Sequence, residues 1–111
     1  MLKFMYAIYD QATQAWLEPF CQDTDAAAER QFLNVISNVE LMRNAPADFD
    51  LYVIGTFSTR DGTISAKETV QKVVNGLSLV QAHNQRIAHE NAQVGDVSSV
   101  QSGSESRDTT L

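Results

Sequence analysis

The sequence predicts an α+β fold: a small antiparallel sheet of about four strands in the order ββαββ, covered on one face by a helix, then a C-terminal helix and a disordered tail. Three observations predict it. Leu2 to Tyr9 alternates with the period of two that marks a strand. Behind a capping residue near Asp23, apolar side chains recur at helical spacing. Thr59-Arg60-Asp61-Gly62 separates two extended runs with the composition of a hairpin turn.

In the first strand Leu2, Phe4, Tyr6 and Ile8 share one face and Lys3, Met5, Ala7 and Tyr9 the other. Both faces are largely apolar, which suits a central strand. Asp10 to Ala15 is polar and ends the run, and Trp16 to Cys21 resumes an extended pattern, so the two segments read as a hairpin. Pro19 has no amide hydrogen for a ladder and belongs on the open side of an edge strand or at a bulge.

Asp23 or Thr24 opens the first helix, with Asp25 and Glu29 near the positive end of its dipole. Ala28, Phe32, Val35, Ile36 and Val39 form a stripe that should cover one face of the sheet. The helix ends between Asn38 and Asn44, and Pro46 closes the connection to a third strand, Asp50 to Ser58. Along that strand Leu51, Val53, Gly55 and Phe57 share a face, and Gly55 signals a bulge or a close backbone approach. Thr63-Ile64-Ser65 begins the return after Asp61-Gly62. Ala66 to Val74 fits two periods: Val70, Lys72 and Val74 alternate as in a strand, while Lys67, Glu68, Gln71 and Val74 fit a helical turn. A helical turn starting near Ser65 is the favoured reading.

Asn75-Gly76 then punctuates the chain. The expected organisation is a core domain over 1–76, a helix over 77–94 and a polar tail over 95–111. From Gln93 onward only Val94, Val97, Val100 and Leu111 are large and aliphatic, too little apolar surface to offset chain entropy. A chain of 111 residues holds one modest core.

Net charge is -6, and it is spread along the chain: residues 1–80 carry six bases against ten acids, and residues 81–111 two against four. The clustered Lys and Arg of a phosphate-backbone binder are missing. No long uncharged apolar run marks a membrane span or a signal peptide, so the expected location is the cytoplasm in which the protein is made, with no membrane partner. Cys21 is the single cysteine, which rules out an internal disulfide and reads as a small apolar residue.

No catalytic constellation stands out. His83 and His89 are six residues apart, which is not the i, i+4 spacing of helical metal ligands, and no Gly-rich phosphate loop or nucleophile elbow occurs. Asp48 and Asp50 form an isolated Asp-x-Asp, read as strand-edge capping and solubilising acids. The expectation is a protein that is not an enzyme and takes no cofactor or metal.

The aromatic residues carry the binding chemistry that is left. Exposed rings on a sheet can stack unpaired bases with little help from positive charge. Most rings in so small a domain fill its core. Tyr9, Trp16 and Tyr52 are the candidates for exposure, each with a polar edge and near a strand end or on the face away from the helix. Lys3 and Arg60 are the bases chosen to flank them; Arg30, Lys67 and Lys72 could also do so. In the C-terminal helix Leu77, Val80, Asn84, Ile87, Asn91 and Val94 recur at alternating spacings of three and four, the pattern of a homodimeric coiled-coil seam with Asn at two inner positions, or else of a helix that packs one apolar edge on its own domain.

Tyr6-Ala7-Ile8-Tyr9-Asp10, Pro19-Phe20 before an alanine-rich helix with Arg30 and Phe32, Asp48-Phe49-Asp50-Leu51-Tyr52, Gly55-Thr56-Phe57 and Asp61-Gly62-Thr63-Ile64 together resemble the small non-structural protein of gokushoviruses, single-stranded-DNA phages of the microvirus group. The likeness covers residues 4–65. It implies a replication-stage phage protein absent from the virion, acting in the cytoplasm of the bacterial host and described as DNA-binding, with no catalytic residues to carry over. The charge of -6 departs from that description. Two partners follow as expectations: single-stranded DNA, or a phage or host replication protein engaged by an acidic adaptor.

Overall fold

The computed structural model describes residues 1–98, the side chains of 92–98 excepted. Five strands and three helices follow in order: β1 (Leu2–Asp10), β2 (Ala15–Trp16), β3 (Phe20–Gln22), α1 (Asp25–Asn38), α2 (Glu40–Asn44), a 3-10 turn (Pro46–Asp48), β4 (Phe49–Ser58), β5 (Ile64–Asn75) and α3 (Gly76–Ser98). The fold is α+β with an open antiparallel sheet in the order β2-β1-β4-β5, and β3 shares with β2 the outer edge of β1. A compact unit spans Met1–Val80, and a second begins at Gln81, within α3.

The expected second strand is two short ones. Trp16 pairs with Tyr9 and the Leu17 amide donates to the Ile8 carbonyl at 2.8 Å, but Phe20 is the partner of Tyr6, so Glu18 and Pro19 interrupt the edge. Pro19 cannot donate, and the interruption puts it where no donor is needed. The β1–β2 turn is held by Asp10, whose Oδ1 accepts from the Ala12 amide at 2.9 Å, and Gln14 takes a left-handed φ of 57°.

Thr24 caps α1: its extended backbone ends the strand region, and its hydroxyl accepts from the Ala27 amide at 3.1 Å. Ala28, Phe32 and Ile36 of the expected stripe are buried and Val35 is half-buried. Val39 is not: it is the extended residue between α1 and α2 and is 42% exposed, and Met42 of α2 fills the core in its place. These side chains meet Tyr6, Ile8, Phe49 and Leu51, together with Leu79 at the start of α3. Tyr6, Phe32 and Leu51 are fully enclosed, and each such side chain contributes about 1.5–3 kcal/mol by leaving water.

Two expectations for β4 and β5 are corrected. Residues 66–74 form strand, not a helical turn: β5 runs from Ile64 to Asn75 and pairs with β4, with Lys67–Val70 passing Ile54 as a wide irregularity between the Gly55–Ala66 and Val53–Gln71 pairs. The β4 ladder supplies backbone partners that a single helical turn lacks. Leu51, Val53, Gly55 and Phe57 also do not share one face. Val53 is the partner of Tyr6 but Gly55 is the partner of Met5, so a bulge at Ile54 moves Gly55 and Phe57 to the opposite side of the sheet. Gly55 is required there, because a Cβ would run into the Ser65 carbonyl oxygen.

The Asp61-Gly62 hairpin forms as expected, with Gly62 at φ 77° and Asp61 Oδ1 accepting from the Thr63 amide at 3.1 Å. Asn75, the last residue of β5, precedes helix α3, and its Oδ1 accepts from the Leu77 amide at 2.9 Å. The tail expected over 95–111 lies, from residue 99 on, outside the described residues.

Candidate functional site

Alternation along β1 and β4 sends Tyr6, Ile8, Phe49 and Leu51 toward the helices, so Ala7, Tyr9, Asp50 and Tyr52 point to the other face. One row across that face reads Trp16, Tyr9, Asp50, Asn75, and the next reads Ala7, Tyr52, Lys72. The three candidate rings therefore meet. Tyr9 and Trp16 have centroids 4.8 Å apart, Trp16 and Tyr52 5.0 Å, and Tyr9 and Tyr52 6.3 Å, with the last two pairs edge to face. At these separations nothing fits between the rings; they form a platform. Trp16 is 46% exposed, and Tyr9 and Tyr52 are half-buried. Ala7, the cross-strand partner of Tyr52, is buried on this same face and is small enough to let the rings close over it.

Beside the platform lies Asp50, a carboxylate only 3% exposed. Gln11 Nε2 donates to its Oδ2 at 2.6 Å and Asn75 Nδ2 to its Oδ1 at 2.8 Å, while Lys72 Nζ stands 3.5 Å from Oδ1. Such burial is tolerable because each oxygen is hydrogen-bonded. The network also fastens the β1–β2 turn, through Gln11, to the start of α3, through Asn75. Asp50 is thus a structural anchor, not the solubilising strand-edge acid that its sequence position suggested.

Lys3 and Arg60 are not brought to the rings. Lys3 pairs across β1 and β4 with Phe57, about 20 Å along the strand from Tyr9 at 3.3 Å per residue, and its ammonium bridges Asp23 at 3.0 Å. Arg60 is exposed in the β4–β5 turn, beyond the end of β4 at Ser58, which is itself about 20 Å along the strand from Tyr52. The base that does adjoin the platform is Lys72, the cross-strand partner of Tyr52. Lys72 is among the bases named above as able to flank the rings, and it is the paired β5, in place of the expected helical turn, that puts it there.

A separate groove of about 420 Å³ opens on the helix side, between the start of α1 and the irregular part of β5, lined by Phe4, Asp23, Asp25, Val53, Lys67 and Gln71 among others. At its margin the buried Tyr6 hydroxyl donates to Asp25 Oδ1 at 2.6 Å. Burial, with this hydrogen bond to a carboxylate, holds the Tyr6 phenol well above its usual range. Among the described residues no three His, Cys, Asp or Glu side chains gather as a metal site, and no helix is long and apolar enough to cross a membrane. Cys21 is a free, half-buried thiol on β3 opposite Met5.

The fold and this face define a small open-sheet α+β protein with a partly exposed aromatic platform and a single adjoining lysine. The sequence model of the phage ORF5 protein family matches residues 3–79, and the chain belongs to that family of phage proteins. The match covers β1 through the start of α3, so every residue of the platform and of the Asp50 network lies inside it. No curated protein and no solved structure gives a significant match.

Proposed function

We propose that this phage protein binds single-stranded DNA without catalysis, as part of single-stranded genome replication in the cytoplasm of a bacterial host, the role implied by its likeness to gokushovirus non-structural proteins. The observation that carries the reading is the Tyr9–Trp16–Tyr52 platform: three rings in contact, with Trp16 46% exposed and Lys72 alongside. An unpaired base can lie on such a surface, whereas the base faces of a duplex are already stacked. The scarcity of positive charge fits stacking better than backbone binding. Pairing of two copies through Leu77, Val80, Asn84 and Ile87 would double the contact; Leu77 and Ile87 are 38% and 42% exposed.

The net charge of -6 favours a second reading, an acidic adaptor that engages a basic phage or host replication protein. Trp16 is the only tryptophan, so its fluorescence reports the platform directly. Titration with an oligothymidylate at low ionic strength should quench it, and Tyr52→Ala and Tyr9→Ala should weaken the effect while the domain stays folded. Unaltered fluorescence at low salt refutes DNA binding here and leaves the adaptor.

A further inference from the structure

We propose that Lys72 is a displaceable counter-ion, which leaves Asp50 to hold one phosphate when a base stacks on Trp16, so that the site takes one unpaired base and one phosphate at a time. This rests on the nucleic-acid reading above.

Three observations carry it. Of the three groups around the buried Asp50 carboxylate, Lys72 is the loosest. Gln11 and Asn75 donate at 2.6 and 2.8 Å, whereas the Lys72 ammonium is 3.5 Å away, beyond ordinary hydrogen-bond length, on a side chain that is 50% exposed. Its departure leaves a hydrogen bond on each Asp50 oxygen, which offsets part of the cost of parting the carboxylate from its counter-ion. Second, Lys72 is the cross-strand partner of Tyr52, and the Tyr52 ring contacts Trp16 at 5.0 Å. A flexible four-carbon stem can swing the ammonium from Asp50 to the margin of the rings, where the phosphate of a stacked nucleotide would lie. Third, the side-chain nitrogens of Gln11 and Asn75 are committed: each donates to Asp50 and to the Ala47 carbonyl, which leaves neither free to donate to a base edge. The rings and the Lys72 ammonium then carry the contact.

Asp50 has a second effect. Once Lys72 has turned outward, the carboxylate repels further phosphates, so a densely charged duplex is disfavoured relative to a flexible single strand.

The test is the salt dependence of binding, read by anisotropy of a labelled oligothymidylate on the full chain. One phosphate contact gives a slope of about -0.7 in log K against log salt, so affinity falls about threefold between about 50 and 200 mM. Lys72→Gln should flatten the slope to near zero and weaken binding about fivefold at low salt, and Lys72→Arg should restore the slope. Asp50→Asn, if its circular dichroism is native, should bind about threefold more tightly or better; if it does not fold, the two Lys72 variants decide. A Lys72→Gln slope equal to the wild type overturns this inference alone. Failure of the wild type to quench Trp16 overturns it together with the reading on which it rests.

Discussion

Removing the outer ring of the platform has a magnitude that can be worked from its exposure. A tryptophan carries about 250 Å² of surface, so 46% exposure leaves roughly 115 Å² of Trp16 open. A base covering half of that hides about 60 Å² on each partner, which at about 25 cal/mol/Å² amounts to about 3 kcal/mol before ordering costs. Stacking contributions of about 1–3 kcal/mol per base bracket the net value, and about 2 kcal/mol corresponds to a roughly thirtyfold loss of affinity for Trp16→Ala. Trp16→Phe should retain most of the binding. The substitution also removes two ring contacts, at 4.8 and 5.0 Å, each worth about 0.5–1.5 kcal/mol. Because β2 is a two-residue edge strand remote from the Tyr6–Phe32–Leu51 core, the domain should survive with a lowered Tm. Anisotropy of a labelled oligothymidylate measures the first effect, and thermal melting by circular dichroism separates it from the second. Undiminished binding by folded Trp16→Ala would remove the platform from the function.

Other consequences concern the scaffold. Ala7→Leu should force the rings apart, costing about 1–3 kcal/mol and weakening the aromatic near-ultraviolet circular dichroism; an unchanged spectrum would mean that the rings do not depend on the space above Ala7. Gly76→Ala sets propensity against sterics: alanine favours helix by about 1 kcal/mol, but its Cβ would strike the Pro46 carbonyl oxygen and approach Phe49 O at 3.1 Å. Sterics should win, lowering Tm by about 10 °C, and a rise would contradict the packing described here. Tyr6 gives a pH effect. Its phenol ionises less readily folded than unfolded, so stability is full below about pH 10 and falls above it by up to about 1.4 kcal/mol per pH unit. Tyr6→Phe should flatten that alkaline limb in denaturant titrations, at the cost of the bond to Asp25; an equally steep limb in the variant would assign the effect to other groups.

Much of the fold was legible locally. Period-two alternation in Leu2 to Tyr9, the Thr24 cap before Ala26-Ala27-Ala28 and the Asp61-Gly62 turn each act through neighbours within a few residues. The choice of Tyr9, Trp16 and Tyr52 as outward aromatics followed from alternation and from their polar edges. Their mutual contact did not, since it depends on Ala7 lying beneath them and on the Trp16–Tyr9 register. For the same reason Lys72 did not stand out from the other bases that could flank the rings, and Asp50 was misread: the strand that aligns one with Tyr52 and the amides that bury the other come from distant parts of the chain.

By itself, then, the order of residues determined that Leu2 to Tyr9 and Asp50 to Ser58 are extended, where α1 begins and where the β4–β5 hairpin turns, because caps, turns and hydrophobic period are short-range properties. Tertiary structure decided that 66–74 is strand, that the Ile54 bulge reverses the faces of Gly55 and Phe57, and that a lysine and a buried carboxylate stand beside the rings. Those outcomes rest on backbone partners and burial supplied across the sheet, and there the hydrogen-bonded ladder of β4 outweighs what residues 66–74 would prefer alone.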